Sequence, residues 1–224
     1  MEDGFRSATP LLREPSRTPA LPHPRTPMPE DDDLDLAPGV LLVAEPTLGD
    51  PNFRRSVVLL CEHNEMGSFG LALGRPLDEQ ELTLSDVLDL GDPTVQVRAE
   101  DFELTLGGPV QPETLHYLHR HPEAVPDATE VTEGVWWGGD FEDVKRLLAG
   151  GGGDPQRLRF LLGYAGWGAG QLRAELDQGG WILAEATPSL VFPESLDAFW
   201  RQIMRRMGGE YALLSNFPDD PRMN

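Results

Sequence analysis

An α+β fold built on a mixed or antiparallel sheet follows from three features of the chain. Short β-rich runs bounded by turn formers recur along most of its length, few segments have helical periodicity, and the two kinds do not alternate regularly. The 224 residues include 24 glycines and 21 prolines and are 39% apolar, which suits one ordinary domain plus some further chain.

The first 36 residues form a proline-rich, acidic-ended tail that we expect to be disordered. Seven prolines between Pro10 and Pro29 alternate with Arg6, Arg13, Arg17 and Arg25, and Glu30, Asp31, Asp32 and Asp33 follow. Proline removes donors and fixes φ, and too few apolar side chains are present to offset the entropy of ordering. The arginines are read as solvated groups, not as a polyanion-binding arm. One domain is expected over 37–224.

Strands are expected first at Val40–Ala44, Ser56–Cys61 and Phe69–Leu73, each closed by Gly, Pro, Asp or Asn. More are expected at Val95–Val97, Phe102–Leu106, Thr114–Leu118, Thr129–Trp137, Leu158–Tyr164, Trp181–Ala186 and Ser189–Phe192. The clearest helix is Phe141–Ala149, with Asp140 as its cap, Phe141, Val144, Leu147 and Leu148 on one face, and Gly150 at its end. Helices are also expected over 170–177 and 194–207, the latter burying Leu196, Phe199, Trp200, Ile203 and Met207. A short helical turn is expected near 85–90, capped by Thr83 or Ser85.

Charge narrows the function. Thirty-eight acidic against 18 basic side chains leave a formal charge of -20, so the chain repels phosphate polyanions and direct nucleic-acid binding is disfavoured. No apolar run approaches the roughly 20 residues that cross a bilayer, and the N-terminus lacks a basic-then-apolar leader, so a cytoplasmic location without membrane contact is expected. The single cysteine, Cys61, excludes an intrachain disulfide and a thiolate zinc cage from this chain alone.

Strand parity puts Cys61 and His63 on one face about 7 Å apart. That separation exceeds the hydrogen-bond reach of a nucleophile and base, so Cys61 is read as a small core hydrophobe. His119 and His121 share a face opposite His116, an incomplete metal set, and no metal or cofactor is expected. Gly107-Gly108-Pro109 reads as a turn that could also open a pocket.

The most specific stretch runs from Leu158 to Leu172. It reads as an apolar strand, a glycine-rich turn spanning Gly163, Gly166, Gly168 and Gly170, and a helix start. Free amides there suit an anion, although the spacing fits neither phosphate-loop nor dinucleotide patterns. Packing of Tyr164 and Trp167 on the sheet, with Gln171 and Glu175 on the helix face, is the structural alternative.

With these residues in view, the chain resembles the YqgE/AlgH family of bacterial proteins. The resemblance rests on Asp50-Pro51-Asn52-Phe53-Arg54-Arg55-Ser56, Cys61-Glu62-His63-Asn64, Gly67, Gly70-Leu71, Arg75-Pro76 and Gly107-Gly108-Pro109-Val110. It continues through Leu115-His116, Gly163 to Trp167, Gly170-Gln171-Leu172, Gly180-Trp181 and Trp200. It covers residues 37 to the end in the family's order. Two departures stand out: Gly74 occupies a position where the family commonly has asparagine, and Ser68 one usually held by alanine. The resemblance implies a curved, partly barrel-like sheet flanked by three to four helices, and no established enzyme activity.

The expected function is a non-enzymatic binding or regulatory protein acting through a protein partner, with no catalytic residues. The alternative is a small-anion sensor or enzyme using His63, Gly107, Gly108, Gly166, Trp167 and Gln171. Direct DNA regulation, which the family has been proposed to perform, ranks third. No helix-turn-helix with a basic second helix is visible, and Arg201, Arg205 and Arg206 make only a small basic face.

Overall fold

Residues 34–75, 77, 83–87, 99 and 101–217 are described by the structure, a computed structural model. Among them the β-rich runs pair into one nine-stranded sheet flanked by six helices. The strands are β1 (Val40–Ala44), β2 (Val57–Asn64), β3 (Gly67–Leu73), β4 (Leu104–Leu106), β5 (Val110–His119), β6 (Thr129–Thr132), β7 (Val135–Trp137), β8 (Leu158–Gly168) and β9 (Trp181–Glu185). The helices are α1 (Leu84–Val87), α2 (Phe141–Ala149), α3 (Gln171–Asp177), α4 (Pro188–Val191), α5 (Phe199–Met207) and α6 (Gly209–Leu214). The expected strand at Val95–Val97, the end of the 85–90 turn and tail residues 1–33 lie outside the described residues.

The order across the sheet is β6-β7-β5-β8-β3-β2-β1-β9, with β4 joining β8 in parallel and all other pairs antiparallel. The sheet is therefore mixed, as expected. It curls without closing. Val131 of β6 returns so near the start of β1 that a Cβ on Gly39 would sit 2.7 Å from its carbonyl oxygen.

Curling gives the sheet a concave and a convex face. Leu41, Val43, Val57, Leu59, Leu71, Leu118 and Leu161 fill the concave core, closed by Val191, Phe199, Trp200, Ile203 and Met204 from α4 and α5. On the convex side, Leu42, Val58, Leu60, Ala165, Trp167 and Trp181 pack with Leu172 of α3. Leu115, Tyr117, Phe160 and Leu162 pack with Phe141, Val144 and Leu148 of α2. The period-two alternation of β1 and β2 thus feeds two different cores from one strand.

The cap of α2 is as expected: Asp140 Oδ1 accepts the Glu142 amide at 2.9 Å, and Gly150 ends the helix. Thr83 precedes α1 and donates both its amide and hydroxyl to Asp86 at 2.7 Å.

Three expectations are corrected. Residues 188–191 form helix α4 instead of a strand, because Pro188 occupies the first helical turn, where its missing N–H has no cost. Helix α5 begins at Phe199, not 194. Ser195 Oγ accepts the Asp197 amide at 3.1 Å, and Ala198 takes φ +51, so local side-chain bonding holds the chain out of helix until then. The stretch Gly163–Gly168 is strand, not turn: it pairs with β3 from Gly67↔Gly168 to Gly70↔Ala165, leaving Ala169 and Gly170 as the turn. Long-range pairing here overrides the low strand preference of glycine.

Gly163 has a specific task in that strand. Before it, Leu158, Phe160 and Leu162 face the convex side; after it, Ala165 and Trp167 do. Its φ of +67, opposite the register shift between Val110 and Leu115 of β5, inverts the alternation and lets β8 serve both halves of the sheet.

Candidate functional site

Sequence parity placed Cys61 and His63 together, and the structure separates them. The pairing of β2 with β3 slips between Leu60 and Glu62, making Cys61 the extra residue of a bulge. Cys61 stays in the concave core at 2% exposure, where burial, reinforced by the Glu62 carboxylate, pushes its thiol pKa well up. A thiol so held is a poor nucleophile.

His63 emerges opposite Ser68, and its Nδ1 lies 2.7 Å from Ser68 Oγ. Arg173 of α3 lies nearby and bridges Asp35, whose carboxyl it holds below the usual range. Burial lowers the pKa of His63 below its ordinary value, Arg173 adds to that, and Asp35 opposes it. The imidazole is thus neutral at pH 7 and half-buried.

Ser68 pairs in turn with Trp167, so His63, Ser68 and Trp167 form one row across β2, β3 and β8. Beside this row α3 is fastened to the sheet by a closed hydrogen-bond circuit. Gln171 Oε1 accepts the Gly168 amide at 3.0 Å, and its Nε2 donates to Glu175 Oε1 at 2.9 Å. Glu175 Oε2 accepts the indole N–H of both Trp167 and Trp181, each at 2.9 Å. Phe53 stacks on Trp167 at 5.8 Å and meets Trp181 edge-on at 5.5 Å. Asp50 sets the turn that delivers Phe53, accepting the Asn52 amide at 2.8 Å.

Glu175 is consequently the carboxylate on which this corner depends. Replacing it with alanine strands two buried indole donors and is expected to cost about 3 kcal/mol, whereas Glu175→Gln keeps an acceptor and costs less. Thermal unfolding of both variants checks this, and a Glu175→Ala loss of only a few tenths of a kcal/mol would refute it.

The other expected site residues lie elsewhere. Gly107 and Gly108 are buried where the chain leaves β4 and crosses β8. The Gly107 amide donates to Leu162 O, and its carbonyl accepts from Ala72 N, both at 2.7 Å. Gly166 is exposed on the concave side, where an added Cβ would meet the Tyr164 ring at 3.0 Å. His63, Trp167 and Gln171 therefore share the convex corner, Gly107 and Gly108 form a backbone crossing, and Gly166 faces the opposite side. Gly74, in the position the family gives to asparagine, has φ +81, a conformation that glycine and asparagine both tolerate. In this chain glycine also leaves room for Phe199, whose Cδ1 would lie 2.8 Å from a Cβ at position 74.

Of two buried polar groups, sequence reasoning missed Arg159 and weighed His116 only as part of an incomplete metal set. Arg159 lies in the concave interior and donates to Val191 O at 2.7 Å, while its Nη2 has no partner. Burial lowers its pKa to about 10, against the pull of Glu103. His116 is 6% exposed, its Nε2 has no partner, and burial lowers its pKa to about 4. Around it stand Phe69, Tyr164 and Trp137, at ring-centroid distances of 5.4, 5.8 and 6.3 Å. His119 is occupied: its Nε2 lies 3.1 Å from Gly138 O and its Nδ1 accepts the His121 amide at 3.2 Å.

A separate cleft of about 400 Å³ lies between α4 and α5, lined in part by Ser189, Glu194, Ser195, Phe199, Gln202 and Arg206. None of the expected site residues lines it. Among the described residues no helix is long and apolar enough to cross a membrane, and no group of three or more His, Cys, Asp or Glu is placed to hold a metal.

A family model described as AlgH-like matches residues 41–212. The chain is 42% identical over 190 residues to a UPF0301 protein of Cytophaga hutchinsonii, covering 84% of this chain and 100% of that one. It is 39% identical over 190 residues to a UPF0301 protein of Chlorobium limicola, covering 84% and 96%. Two solved structures are similar. A protein from Corynebacterium diphtheriae matches with TM-score 0.65 and 29% identity, covering 84% of this chain and 95% of that one. The AlgH protein from Pseudomonas aeruginosa matches with TM-score 0.64 and 31% identity, covering 84% and 98%.

Proposed function

The chain belongs to the AlgH-like family, and from that premise we propose that it is a cytoplasmic, non-enzymatic binding or regulatory protein that acts through a protein partner. The observation that carries this reading is the closed circuit around Glu175. Gln171 and Trp167, the groups best suited to grip a ligand at the glycine-rich segment, bond to the chain itself and secure α3. An anion placed there would also meet the Glu175 carboxylate. The formal charge of -20 argues against nucleic acid as the direct target and leaves protein surfaces as the natural partners.

Crosslinking in cells tests this. A photo-crosslinking residue in place of Met66 or Leu213, which are 74% and 73% exposed, is expected to capture a discrete second polypeptide. A salt-dependent, sequence-specific shift of DNA by submicromolar protein would overturn the reading in favour of direct regulation.

A second reading has one observation in its favour. His63, Ser68 and Arg173 form a half-exposed polar group on the convex face, suited to a small anion. A thermal-shift screen against phosphosugars, nucleotides and organic acids addresses it. A ligand at a hundred times its Kd stabilises by about 2.7 kcal/mol, and that gain should vanish in His63→Ala.

A further inference from the structure

The Glu175 corner leaves two features of the chain without a role: the proline-rich run before the domain, and a row of aromatic rings on the concave face. Phe69 of β3, Trp137 of β7 and Tyr164 of β8 meet at the bend between the two halves of the sheet. The Phe69 ring is the middle one, 4.6 Å from Trp137 and 5.0 Å from Tyr164, tilted by 33° and 37°. All three rings are half-buried, so part of each remains open to solvent. Gly166, exposed and cross-strand from Phe69, adds no side chain to cover them.

The sequence supplies a segment of matching shape. A polyproline II helix has three residues per turn and rises about 3.1 Å per residue, so residues three apart share a face at a spacing of roughly 9 Å. In Leu21-Pro22-His23-Pro24-Arg25-Thr26-Pro27 that repeat aligns Leu21, Pro24 and Pro27 as one apolar stripe. Pro24 and Pro27 are thus spaced to cover the two outer rings, Trp137 and Tyr164, with Phe69 between them. Aromatic-lined surfaces take such segments well, because proline has already fixed φ and little backbone entropy is left to lose.

The place where the domain begins puts this stripe within reach. Leu36 is buried in the convex core and Asp35 bridges Arg173, so the chain enters beside His63. His63 pairs with Ser68, and the next residue, Phe69, packs on the concave side. The Glu65-Met66 turn that joins β2 to β3 is therefore the end of the sheet that a chain entering here would round. Pro27 precedes Asp35 by eight residues, about 25 Å of polyproline II helix, more than twice the roughly 10 Å between layers packed on a sheet. A segment tethered so closely also acts at about millimolar effective concentration, which a foreign peptide would have to reach in solution. We propose that residues 21–27 of this chain round the β2–β3 turn and dock on its own concave row, seating Pro24 and Pro27 on Trp137, Phe69 and Tyr164. The docking is independent of the protein-partner reading.

The test uses the full chain with a nitroxide on His23→Cys. Cys61 is buried, so the label goes to position 23, which falls on a different face of the three-residue repeat from the stripe. The NMR signals of the Phe69, Trp137 and Tyr164 rings are expected to lose most of their intensity to the label and to regain it when Pro24→Ser and Pro27→Ser are combined. Trp137→Leu should free the Phe69 and Tyr164 signals in the same way. The paired proline variant, changed only in residues before the domain, keeps the test decisive if Trp137→Leu fails to fold. A free peptide of residues 19–29, added at about millimolar concentration to the paired proline variant, should shift the same three rings saturably. The same peptide with serine at both proline positions should shift none of them.

Rings that keep their full signal, or a loss that the proline substitutions leave unchanged, would overturn the proposal. Broadening carried equally well from labelled chains to isotope-enriched, unlabelled chains in a mixture would overturn it by assigning the docked segment to a second copy. Free peptide that binds the row while the chain's own segment leaves it unbroadened would overturn it as well, and would reassign the row to a proline-rich segment of another protein.

Discussion

Gly108→Ala is expected to leave little or no folded protein. A Cβ at this position would lie 2.1 Å from the carbonyl carbon of Tyr164, 2.2 Å from its oxygen and 2.4 Å from the Ala165 nitrogen, at a φ of +155. All three contacts are backbone in the middle of β8, the strand that joins the two halves of the sheet, so no side-chain rotation relieves them. A loss of about 4 kcal/mol or more is expected, in the range reserved for severe core disruption. For a domain of this size that lowers Tm by roughly 8–16 °C. Gly170→Ala is the matched control, because Gly170 also has positive φ, +71, but nothing lies within 4 Å of its added Cβ. It should cost only about 1 kcal/mol of backbone strain. Thermal denaturation followed by circular dichroism separates the two, and equal Tm values would show that the crossing at Gly108 is not tight.

That crossing also marks the limit of what the chain reveals before folding. β1, β2 and β3 were legible because each is an apolar run between turn formers, and α2 because Asp140 and Gly150 bracket a one-sided apolar pattern. Both inversions were illegible. An inserted residue at Cys61 or a positive φ at Gly163 leaves no trace in the alternation of residue types, yet each inverts the face of everything beyond it. His63 was therefore assigned to the same face as Cys61, although it lies beside Ser68 on the convex side.

The Glu175 circuit was half legible, since Gln171 and Glu175 share a helix face four residues apart. Its indole partners at 167 and 181 come from two strands that are not neighbours in the sheet, which only tertiary structure could bring to one carboxylate. His116 was weighed as a metal ligand because imidazole invites that reading. Its aromatic surroundings come from three other strands and were invisible to spacing.

Stability is expected to fall steeply as pH is lowered from about 6.5 to 4, driven by His116 and His119. Burial lowers the pKa of each from 6.5 to about 4; at His119 the bond to the Gly138 carbonyl opposes that shift and His121 adds to it. Their exposures are 6% and 0%. In the unfolded chain both rings take up protons near 6.5, while the folded chain resists until about 4. Between those values the unfolded state binds more protons, and stability decreases as pH decreases. It is fully present above about 6.5, and each ring removes about 3 kcal/mol across the window, the equivalent of its shift. Together this is comparable with the whole stability of an ordinary domain. Asp35 and Asp86 titrate below 3.8 and are exposed, so their loss falls outside the window. Relief of self-repulsion in so acidic a chain acts in the opposite direction as carboxylates begin to protonate. Urea unfolding of the wild type and of His116→Phe at pH 7 and 4.5 separates the two effects, because the variant keeps every carboxylate and removes one buried imidazole. His116→Phe should lose markedly less stability on acidification. An identical acid dependence in both proteins would show that His116 is not held neutral by burial.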